Sequence, residues 1–290
     1  MAKLIVISGS SGAGKSSALR LLEDEGYYCI DNLPPRLLPH FTEEVMDHPS
    51  YRSFRGIAVC IDARAVKAEQ EETSQALSSL LESKDRLIIF LDAQPHILLK
   101  RFSETRRRHP LAGAGHSLPE AIVTERQFLE PIAAHADLLI DTSDLTPKAL
   151  RHTLITRVIE RPEGLSLLIK SFAFKRGVPS DADFVIDARS LPNPYWVAAL
   201  KDLSGRDQPV IEFLEKDRHC GQFVDHLTTF LTTALPSTED LDRSYVTIAV
   251  GCTGGQHRSV YVAEYLYRQL VLHYPLAQLR HRELNLEAGT

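Results

Sequence analysis

The sequence predicts an α/β protein with two domains, the first of which contains a parallel sheet with helices on both faces. Five short runs that are apolar throughout predict its strands, at 4–7, 27–30, 57–61, 87–91 and 138–140. Helical patterns near 15–25, 66–83, 95–107 and 147–159 separate these runs. Apolar strands that alternate with helices indicate a parallel sheet buried between helical layers. In such sheets ligands bind at the carboxyl ends of the strands.

The second half of the chain predicts a smaller α/β domain. The last helical pattern of the first half stops near 160–164, and a new apolar run begins at Leu165. Further on, an apolar run at 246–250 precedes a helical pattern at about 258–272. A chain of 290 residues is long enough for two ordinary domains. We therefore expect one domain over residues 1–160 and another over residues 161–290.

A glycine-rich loop connects the first predicted strand to the first predicted helix. Its residues are Gly9, Ser10, Ser11, Gly12, Ala13, Gly14, Lys15 and Ser16. This is the form of a P-loop, whose backbone N–H groups surround phosphate oxygens at the positive end of a helix. In such a loop Lys15 reaches the β- and γ-phosphates, and the Ser16 hydroxyl ligates Mg²⁺. The loop predicts an N-terminal P-loop NTPase domain; the alternative is a glycine-rich turn with a structural role only.

Three aspartates, Asp31, Asp62 and Asp92, each follow a predicted strand. A P-loop enzyme needs a second acidic group that holds Mg²⁺ through water. Asp62 fits this role best, and we predict it as the catalytic partner of Lys15 and Ser16. Asp31 and Asp92 are similar in form. An aspartate in this position is also a common N-cap of the next helix, which is the alternative for all three.

An arginine-rich segment follows the third helical pattern and precedes a glycine-containing loop. It contains Arg101, Arg106, Arg107 and Arg108, and the loop contains Gly113, Ala114 and Gly115. In small P-loop kinases a mobile segment of this kind closes arginines over the phosphates and excludes water. The alternative is a solvated basic helix end that complements the helix dipole.

A second candidate anion site lies between the predicted strand at 246–250 and the helix that follows it. Its residues are Cys252, Thr253, Gly254, Gly255, Gln256, His257, Arg258 and Ser259. Adjacent glycines let backbone N–H groups converge, and an arginine offers a fork for phosphate. Cys252 and Arg258 also have the C-x5-R-S spacing of cysteine-dependent phosphatases, although Gly251 stands where their histidine usually precedes the cysteine. Phosphate binding, covalent phosphatase chemistry and a structural turn are all left open.

Three further residues, Asp187, Arg189 and Tyr195, are candidates for the wall of the same pocket. They follow a short apolar run at 184–186. The alternative is an arginine–aspartate pair that only closes a loop. The twelve histidines show no spacing typical of metal sites.

Composition and charge narrow the class of protein. Hydrophobic and charged contents of 43% and 24% are those of an ordinary globular chain, and the net charge of −5 argues against a generally basic nucleic-acid-binding body. The four cysteines form no C-x-x-C pair, which argues against a zinc site and disulfides. No apolar run approaches the length of a membrane span and no leader precedes the first strand, so we expect a cytoplasmic protein without membrane contact.

Together these motifs resemble those of the bacterial RapZ/YvcJ nucleotide-binding proteins. The similarity runs from the P-loop through 18–34, TRRRHPL at 105–111 and 136–143 to SFAFKRG at 171–177, LPNP at 191–194 and GCTGGQHRSV at 251–260. It covers nearly the whole chain, and the later motifs are long and unusual. Enteric members have Lys in place of Gln256, His in place of Tyr195 and a basic tail, whereas this tail contains Glu283 and Glu287.

The resemblance implies a regulatory protein whose N-terminal domain binds and slowly hydrolyses ATP and GTP with Mg²⁺. It places the ATP phosphates on residues 9–16 and associates GTP with Asp62, Ala63, Arg64 and Ala65, the last of which is often Asn in the family. It implies a C-terminal domain that senses a phosphorylated amino sugar, glucosamine-6-phosphate, and that in enteric members presents a small RNA to an endoribonuclease. The family forms homo-oligomers. The residues alone leave open a P-loop small-molecule kinase or a cysteine phosphatase centred on Cys252.

Overall fold

The computed structural model describes residues 4–46, 48–51, 53–68, 74–75, 78, 86–105, 109–112, 117–159, 165–235 and 245–284. The chain divides into two compact units, Met1–Arg161 and Pro162–Thr290. Residues 160–164, where the sequence predicts the boundary, lie outside the described residues. Each unit has a parallel sheet of its own, as the two predicted α/β domains require.

The N-terminal unit contains a five-stranded parallel sheet. Its strands are β1 (Leu4–Gly9), β2 (Tyr28–Ile30), β3 (Ile57–Cys60), β4 (Arg86–Asp92) and β5 (Leu138–Asp141). They lie in the order β2-β3-β1-β4-β5, and every neighbouring pair is parallel. β1 lies at the centre and is buried along its full length. The predicted parallel sheet is therefore confirmed, and the loops after all five strands meet at one edge of it.

Helices connect these strands. Within the described residues they are α1 (Lys15–Asp24), α2 (Leu38–Met46), α3 (Ala63–Ala68), α4 (Pro95–Thr105), α5 (Leu118–Ala134) and α6 (Pro147–Leu154). The helical pattern at 66–83 overlaps α3, which begins earlier, at Ala63; most of residues 69–83 lie outside the described residues. No helical pattern was predicted for α2 or α5. A signal for α5 was present, because Ser117 and Glu120 form a capping box at its start.

The C-terminal unit contains a four-stranded parallel sheet in the order β7-β8-β6-β9. Its strands are β6 (Ser166–Ala173), β7 (Phe184–Asp187), β8 (Tyr245–Cys252) and β9 (Gln278–His281), and its helices are α7 (Gln208–Glu215), α8 (Arg218–Ala234) and α9 (Arg258–Leu270). β8 is buried over all of its residues and leads directly into the second candidate loop. Among the described helices of both units, none combines the length and the apolar character that a bilayer span requires.

Candidate functional site

The loop between β1 and α1 is fixed against the neighbouring strand β4. A Cβ atom at Gly9 would overlap the carbonyl oxygen of Leu91, so this close approach requires glycine. The Ser10 N–H group donates to the same oxygen at 3.0 Å. Gly14 is the N-cap of α1, which begins at Lys15. The loop thus delivers Lys15 and Ser16 to the first turn of α1, at the positive end of its dipole.

The Ser10 hydroxyl is held by Asp92 at the end of β4. It donates to Asp92 Oδ1 at 2.6 Å. Arg126 of α5 donates to both oxygens of the same carboxylate, at 3.1 and 2.9 Å, and to the Ala93 carbonyl at 2.6 Å. Asp92 was one of the three predicted Mg²⁺ candidates. Its carboxylate is engaged instead in fixing the glycine-rich loop to β4 and α5.

Ser11 is held by a second carboxylate from α5. Its N–H group donates to Glu125 Oε2 at 2.8 Å, and its hydroxyl donates to Oε1 at 2.6 Å. His109 Nε2 lies 3.1 Å from Glu125 Oε2, and both side chains are completely buried. Burial opposes ionisation of Glu125, but the hydrogen bonds from His109 and Ser11, with the nearby charge of Lys15, outweigh it and lower its pKa. Sequence reasoning missed Glu125.

The Lys15 ammonium folds back onto its own loop. Nζ donates to the Gly9 carbonyl at 2.6 Å and to the Ser10 carbonyl at 3.3 Å. Ser16, the next residue of α1, is exposed and lines the same cavity as Lys15. A neutral carbonyl is a weaker partner for an ammonium than a phosphate oxygen is. Lys15 can therefore exchange these two carbonyls for an anion without leaving the loop.

Asp62 is buried at the start of α3, where it acts as an N-cap. Its Oδ1 accepts from the N–H groups of Arg64 and Ala65, at 2.9 and 3.3 Å. Its Oδ2 accepts from the Arg64 guanidinium, at 2.9 Å from Nε and 2.6 Å from Nη2, and this hydrogen bond raises the pKa of Arg64. With its amide oriented to satisfy the hydrogen bonds, Asn32 also donates to both oxygens, at 2.9 and 3.1 Å. The Arg64 side chain is 58% exposed, so this partner can be displaced.

The glycine-rich loop forms the floor of a cavity of about 560 Å³ whose two sides differ in character. The wall at the carboxyl ends of β2 and β3 is polar and contains Asp31, Cys60, Asp62 and Arg64. The wall after β5 is partly apolar and contains Thr142, Leu145, Thr146, Pro147 and Leu150. Because β1 lies between β3 and β4 in the sheet, these two walls stand on opposite sides of the loop.

Arg101 of α4 fixes the loop to the segment after β5. Its guanidinium donates to the Gly12 carbonyl at 3.0 Å, to Thr142 Oγ1 at 3.0 Å and to the Thr142 carbonyl at 2.5 Å. Burial lowers its pKa. This arginine therefore positions the cavity wall in this structure. The other residues of the predicted arginine segment, Arg106, Arg107, Arg108, Gly113, Ala114 and Gly115, lie outside the described residues.

The second candidate loop joins β8 to α9. The Cys252 sulfur accepts from the Gly255 N–H group at 3.2 Å and lies 3.2 Å from the Ser259 hydroxyl. Cys252 and Ser259 are both buried, whereas Thr253 is exposed and Gly254 and Gln256 are half-buried. The part of the loop that a ligand can reach is therefore formed by Thr253, Gly254 and Gln256. The sulfur lies beneath that surface, with only 3% of Cys252 accessible.

Arg258 and His257 turn toward neighbouring backbone rather than outward. Arg258 Nη1 donates to the carbonyls of Arg189 and Leu191, at 2.9 and 3.1 Å, and Nη2 donates to the Thr253 hydroxyl at 3.4 Å. His257 Nε2 lies 3.1 Å from the Leu200 carbonyl. In this structure Arg258 thus joins the loop to the segment after β7, and its two-pronged contact with phosphate stays a prediction. Its Nε is buried without a hydrogen-bond partner among the described residues.

The segment after β7 carries the other predicted residues of this pocket. Arg189 donates to Asp187 through Nε at 3.0 Å and through Nη2 at 2.6 Å, and this bond is the main cause of the lowered pKa of Asp187. The same guanidinium stacks 4.2 Å from the centre of the Phe174 ring. Both charged side chains remain about half exposed, and Tyr195 is 47% exposed. Asp187 and Arg189 therefore form a loop-closing pair that is still accessible beside the glycine loop.

The two neighbouring glycines of this loop provide a matched pair of variants. Gly255 has a positive φ of 75°, and a Cβ there would overlap the buried side chain of Glu283, whereas a Cβ at Gly254 would contact nothing within 4 Å. We expect Gly255→Ala to destabilise the C-terminal unit by about 2–4 kcal/mol. Gly254→Ala should change its stability by less than about 1 kcal/mol. Urea unfolding followed by circular dichroism measures both; equal losses of stability in the two variants would contradict the geometry.

A central parallel strand that leads through a glycine-rich loop, with a lysine and a serine at its end, into a helix defines the N-terminal unit as a P-loop domain. The chain belongs to the RapZ family: it matches the family model of the RapZ-like N-terminal domain over residues 2–161 and that of the RapZ C-terminal domain over residues 165–285. The resemblance on which the sequence analysis relied is therefore confirmed.

Relatives cover the chain nearly end to end. A nucleotide-binding protein of Hahella chejuensis is 49% identical over 284 residues, which cover 97% of this chain and 99% of the relative. One from Marinobacter nauticus is 50% identical over 284 residues, which cover 97% of each chain. Among solved structures, a shikimate kinase from Acinetobacter baumannii in complex with shikimate is similar to 55% of this chain and 93% of its own, with 15% identity and a TM-score of 0.37.

Proposed function

We propose that the N-terminal unit binds a nucleoside triphosphate with Mg²⁺ and hydrolyses it slowly, with ATP and GTP as the candidate nucleotides. The observation that carries this proposal is the cavity above the glycine-rich loop, which brings together Lys15, Ser16 and the acidic residues after β2 and β3. The curated relatives are named nucleotide-binding proteins, which supports the same function.

The two walls of the cavity orient the nucleotide. The partly apolar wall after β5, with Leu145, Pro147 and Leu150, suits a purine base. The triphosphate then lies over the glycine-rich loop, where Lys15 leaves the Gly9 carbonyl and binds phosphate oxygens. The terminal phosphate points toward the polar wall after β2 and β3. The ends of the cavity thus match the two ends of the ligand.

Ser16 at the start of α1 and Asp62 of the polar wall are suitable ligands for Mg²⁺. Ser16 offers a hydroxyl and Asp62 a carboxylate, and hard oxygen atoms are the ligands that this ion prefers. When bound, Mg²⁺ neutralises the charge of the β- and γ-phosphate oxygens. Asp62 would hold it through water after Arg64 moves aside, which the exposure of the Arg64 side chain permits. The Arg64 guanidinium would then be available to the phosphates.

Titration of the full chain with fluorescent ATP and GTP, with and without Mg²⁺, tests this function. We expect micromolar binding of at least one nucleotide and slow release of inorganic phosphate. A small-molecule kinase, the alternative that the P-loop alone favours, would transfer the phosphate to an acceptor much faster than to water. A chain that binds neither nucleotide contradicts the proposal.

For the C-terminal unit we propose binding of a phosphorylated amino sugar, glucosamine-6-phosphate, beside the loop between β8 and α9. Two observations support an anion here: Thr253 and Gly254 of the loop are accessible, and the Arg189 side chain is half exposed. A phosphate placed on the loop surface would receive hydrogen bonds from Thr253 and charge from Arg189. The sugar would then face Tyr195.

Replacement of Arg189 by glutamine is expected to weaken binding of glucosamine-6-phosphate about tenfold, since it removes one charge-assisted contact. Arg218→Gln, which changes an exposed arginine at the start of α8, is the matched control and should leave the affinity unchanged. Calorimetric titration of the full chain measures both, with glucosamine and inorganic phosphate as comparison ligands. Equal affinities of the wild type and Arg189→Gln for glucosamine-6-phosphate would show that Arg189 does not contribute to binding.

Family membership is the support for two further proposals, an RNase-adapter role toward a small RNA and assembly into homo-oligomers. The net charge of −5 makes RNA binding dependent on a local basic surface. An electrophoretic mobility shift with a small RNA tests the first proposal, and sedimentation equilibrium tests the second. Absence of a mobility shift at low salt would contradict the proposed role toward a small RNA.

A further inference from the structure

We infer that Asp31 orients the water molecule that attacks the terminal phosphate, an inference that rests on the nucleotide site proposed above. Asp31 directly follows β2, is exposed and lines the cavity that contains Lys15 and Ser16. The sequence placed it behind Asp62 as a candidate for Mg²⁺. The structure separates the two aspartates by position and by partners, and this separation gives them different tasks.

The sheet order places Asp31 farther from the glycine-rich loop than Asp62. β3 is hydrogen-bonded to β1, whereas β2 lies beyond β3. In the register, Ile30 pairs with Val59 and Cys60 pairs with Ile7, so Asp31 stands level with Cys60, one strand spacing farther from β1. That spacing is about 4.8 Å. A triphosphate with its base against the wall after β5 therefore reaches the end of β3 before the end of β2.

The attacking group in phosphoryl transfer stands in line with the leaving group, on the far side of the terminal phosphate. With the base on the β5 side, this is the side toward β2. Of the two described carboxylates on that wall, Asp31 lies farther from the glycine-rich loop than Asp62 does. A carboxylate there accepts a hydrogen bond from the attacking water and aligns its oxygen with the phosphorus.

The partners of the three strand-end aspartates support this assignment. The Asp92 carboxylate accepts hydrogen bonds from Ser10 and Arg126, and the Asp62 carboxylate is surrounded by donors from α3. Asp31 instead lies level with Cys60 of the neighbouring strand, both residues line the cavity, and the charge of Arg64 is nearby. Burial raises the pKa of Cys60 to about 12, so this thiol keeps its proton and stays neutral. A neutral thiol at this position adds no charge that would neutralise the carboxylate.

The water oxygen forms a bond to the γ-phosphorus, and the bond between that phosphorus and the β–γ bridging oxygen breaks. The electron pair of that bond stays on the nucleoside diphosphate, whose phosphates Lys15 holds. The proton released by the water passes to the Asp31 carboxylate and then to solvent, and the products are a nucleoside diphosphate and inorganic phosphate.

Two variants of Asp31 test the inference in the full chain. Asp31→Ala and Asp31→Asn should each lower the single-turnover rate of nucleotide hydrolysis about a hundredfold, the usual contribution of a positioned base. Their dissociation constants for fluorescent nucleotide with Mg²⁺ should stay within about twofold of the wild type, because Asp31 contacts the nucleophile and not the nucleotide. Added formate should restore part of the rate in Asp31→Ala, where it can occupy the vacated space, but not in Asp31→Asn.

Asp24→Ala is the matched control, since its carboxylate is 68% exposed and faces Arg151 outside the cavity. It should keep the wild-type rate and show no response to formate. Hydrolysis by Asp31→Ala at the wild-type rate overturns the inference, as does a loss of rate that follows entirely from weaker binding of the Mg²⁺–nucleotide complex. A wild-type chain without nucleotide binding would instead contradict the proposed function, so the two failures are distinct.

Discussion

Replacement of Lys15 by alanine is expected to weaken nucleotide binding at least about thirtyfold and to abolish hydrolysis. The Lys15 ammonium is the cation that the glycine-rich loop itself supplies, and among the described residues its hydrogen-bond partners are the Gly9 and Ser10 carbonyls. Loss of one partner of a close charge pair in a site typically removes about 2–5 kcal/mol of binding free energy. Titration with fluorescent nucleotide measures the change.

Lys67→Ala provides the control for this experiment. Lys67 is exposed on α3 of the same unit, and its removal changes the net charge by the same amount. It should leave the affinity within about twofold of the wild type, since Lys67 does not line the cavity and exposed charges outside a site are screened by salt. Equal losses of affinity in Lys15→Ala and Lys67→Ala would mean that nucleotide binds through general charge and not through the P-loop.

The second large effect is expected at Glu125. Glu125→Ala should lower the unfolding free energy of the N-terminal unit by about 3–5 kcal/mol, because it removes one member of a buried hydrogen-bonded network and leaves His109 and Ser11 without their partner. Glu125→Gln keeps the shape and one acceptor, so it should lose less. Urea unfolding followed by circular dichroism measures the loss, with the transition of the C-terminal unit as an internal reference.

The stabilisation by Glu125 should depend on pH in one direction. Its pKa in the folded state lies below the ordinary value of 4.5, so the unfolded chain binds its proton more readily than the folded chain does. The stability difference between the wild type and Glu125→Gln should therefore be fully present above about pH 4.5 and disappear as the pH falls through the folded-state pKa. A difference that grows on acidification would show that Glu125 is protonated in the folded protein.

Most of the N-terminal sheet could be predicted from the sequence, because short runs that are apolar on both faces and alternate with helical patterns are typical of parallel strands covered by helices. The glycine-rich loop could also be predicted, because its glycines, lysine and serine lie close together in the sequence. The residues that hold this loop in place could not be predicted. Ser11 and Glu125 are 114 positions apart, and no local pattern pairs a serine with a carboxylate on a helix of another segment. The capping box at Ser117 could have revealed the helix, but not the residue that the helix turns toward the loop.

The sequence also could not predict which neighbouring groups some side chains contact. The sequence predicted Arg258 as a phosphate ligand but could not show that its guanidinium donates to the carbonyls of Arg189 and Leu191, which follow a different strand. The N-cap role of Asp62 was predicted as an alternative to Mg²⁺ binding. The sequence could not show that Asn32 and Arg64 also donate to its carboxylate. β9 was missed because its sequence, QLRH, mixes polar and apolar residues at the edge of a sheet. These outcomes depend on tertiary contacts that no local pattern encodes.

Hydrogen exchange of the full chain, with and without a nucleoside triphosphate and Mg²⁺, tests whether the glycine-rich loop is the nucleotide site, because it locates the ligand without any substitution. We expect slower exchange of backbone amides at residues 9–16 and 142–150, on the floor and the apolar wall of the cavity. Exchange across residues 165–284 should not change. Protection confined to the C-terminal unit, or unaltered exchange at residues 9–16 under saturating nucleotide, would contradict the assignment of the P-loop as the nucleotide site.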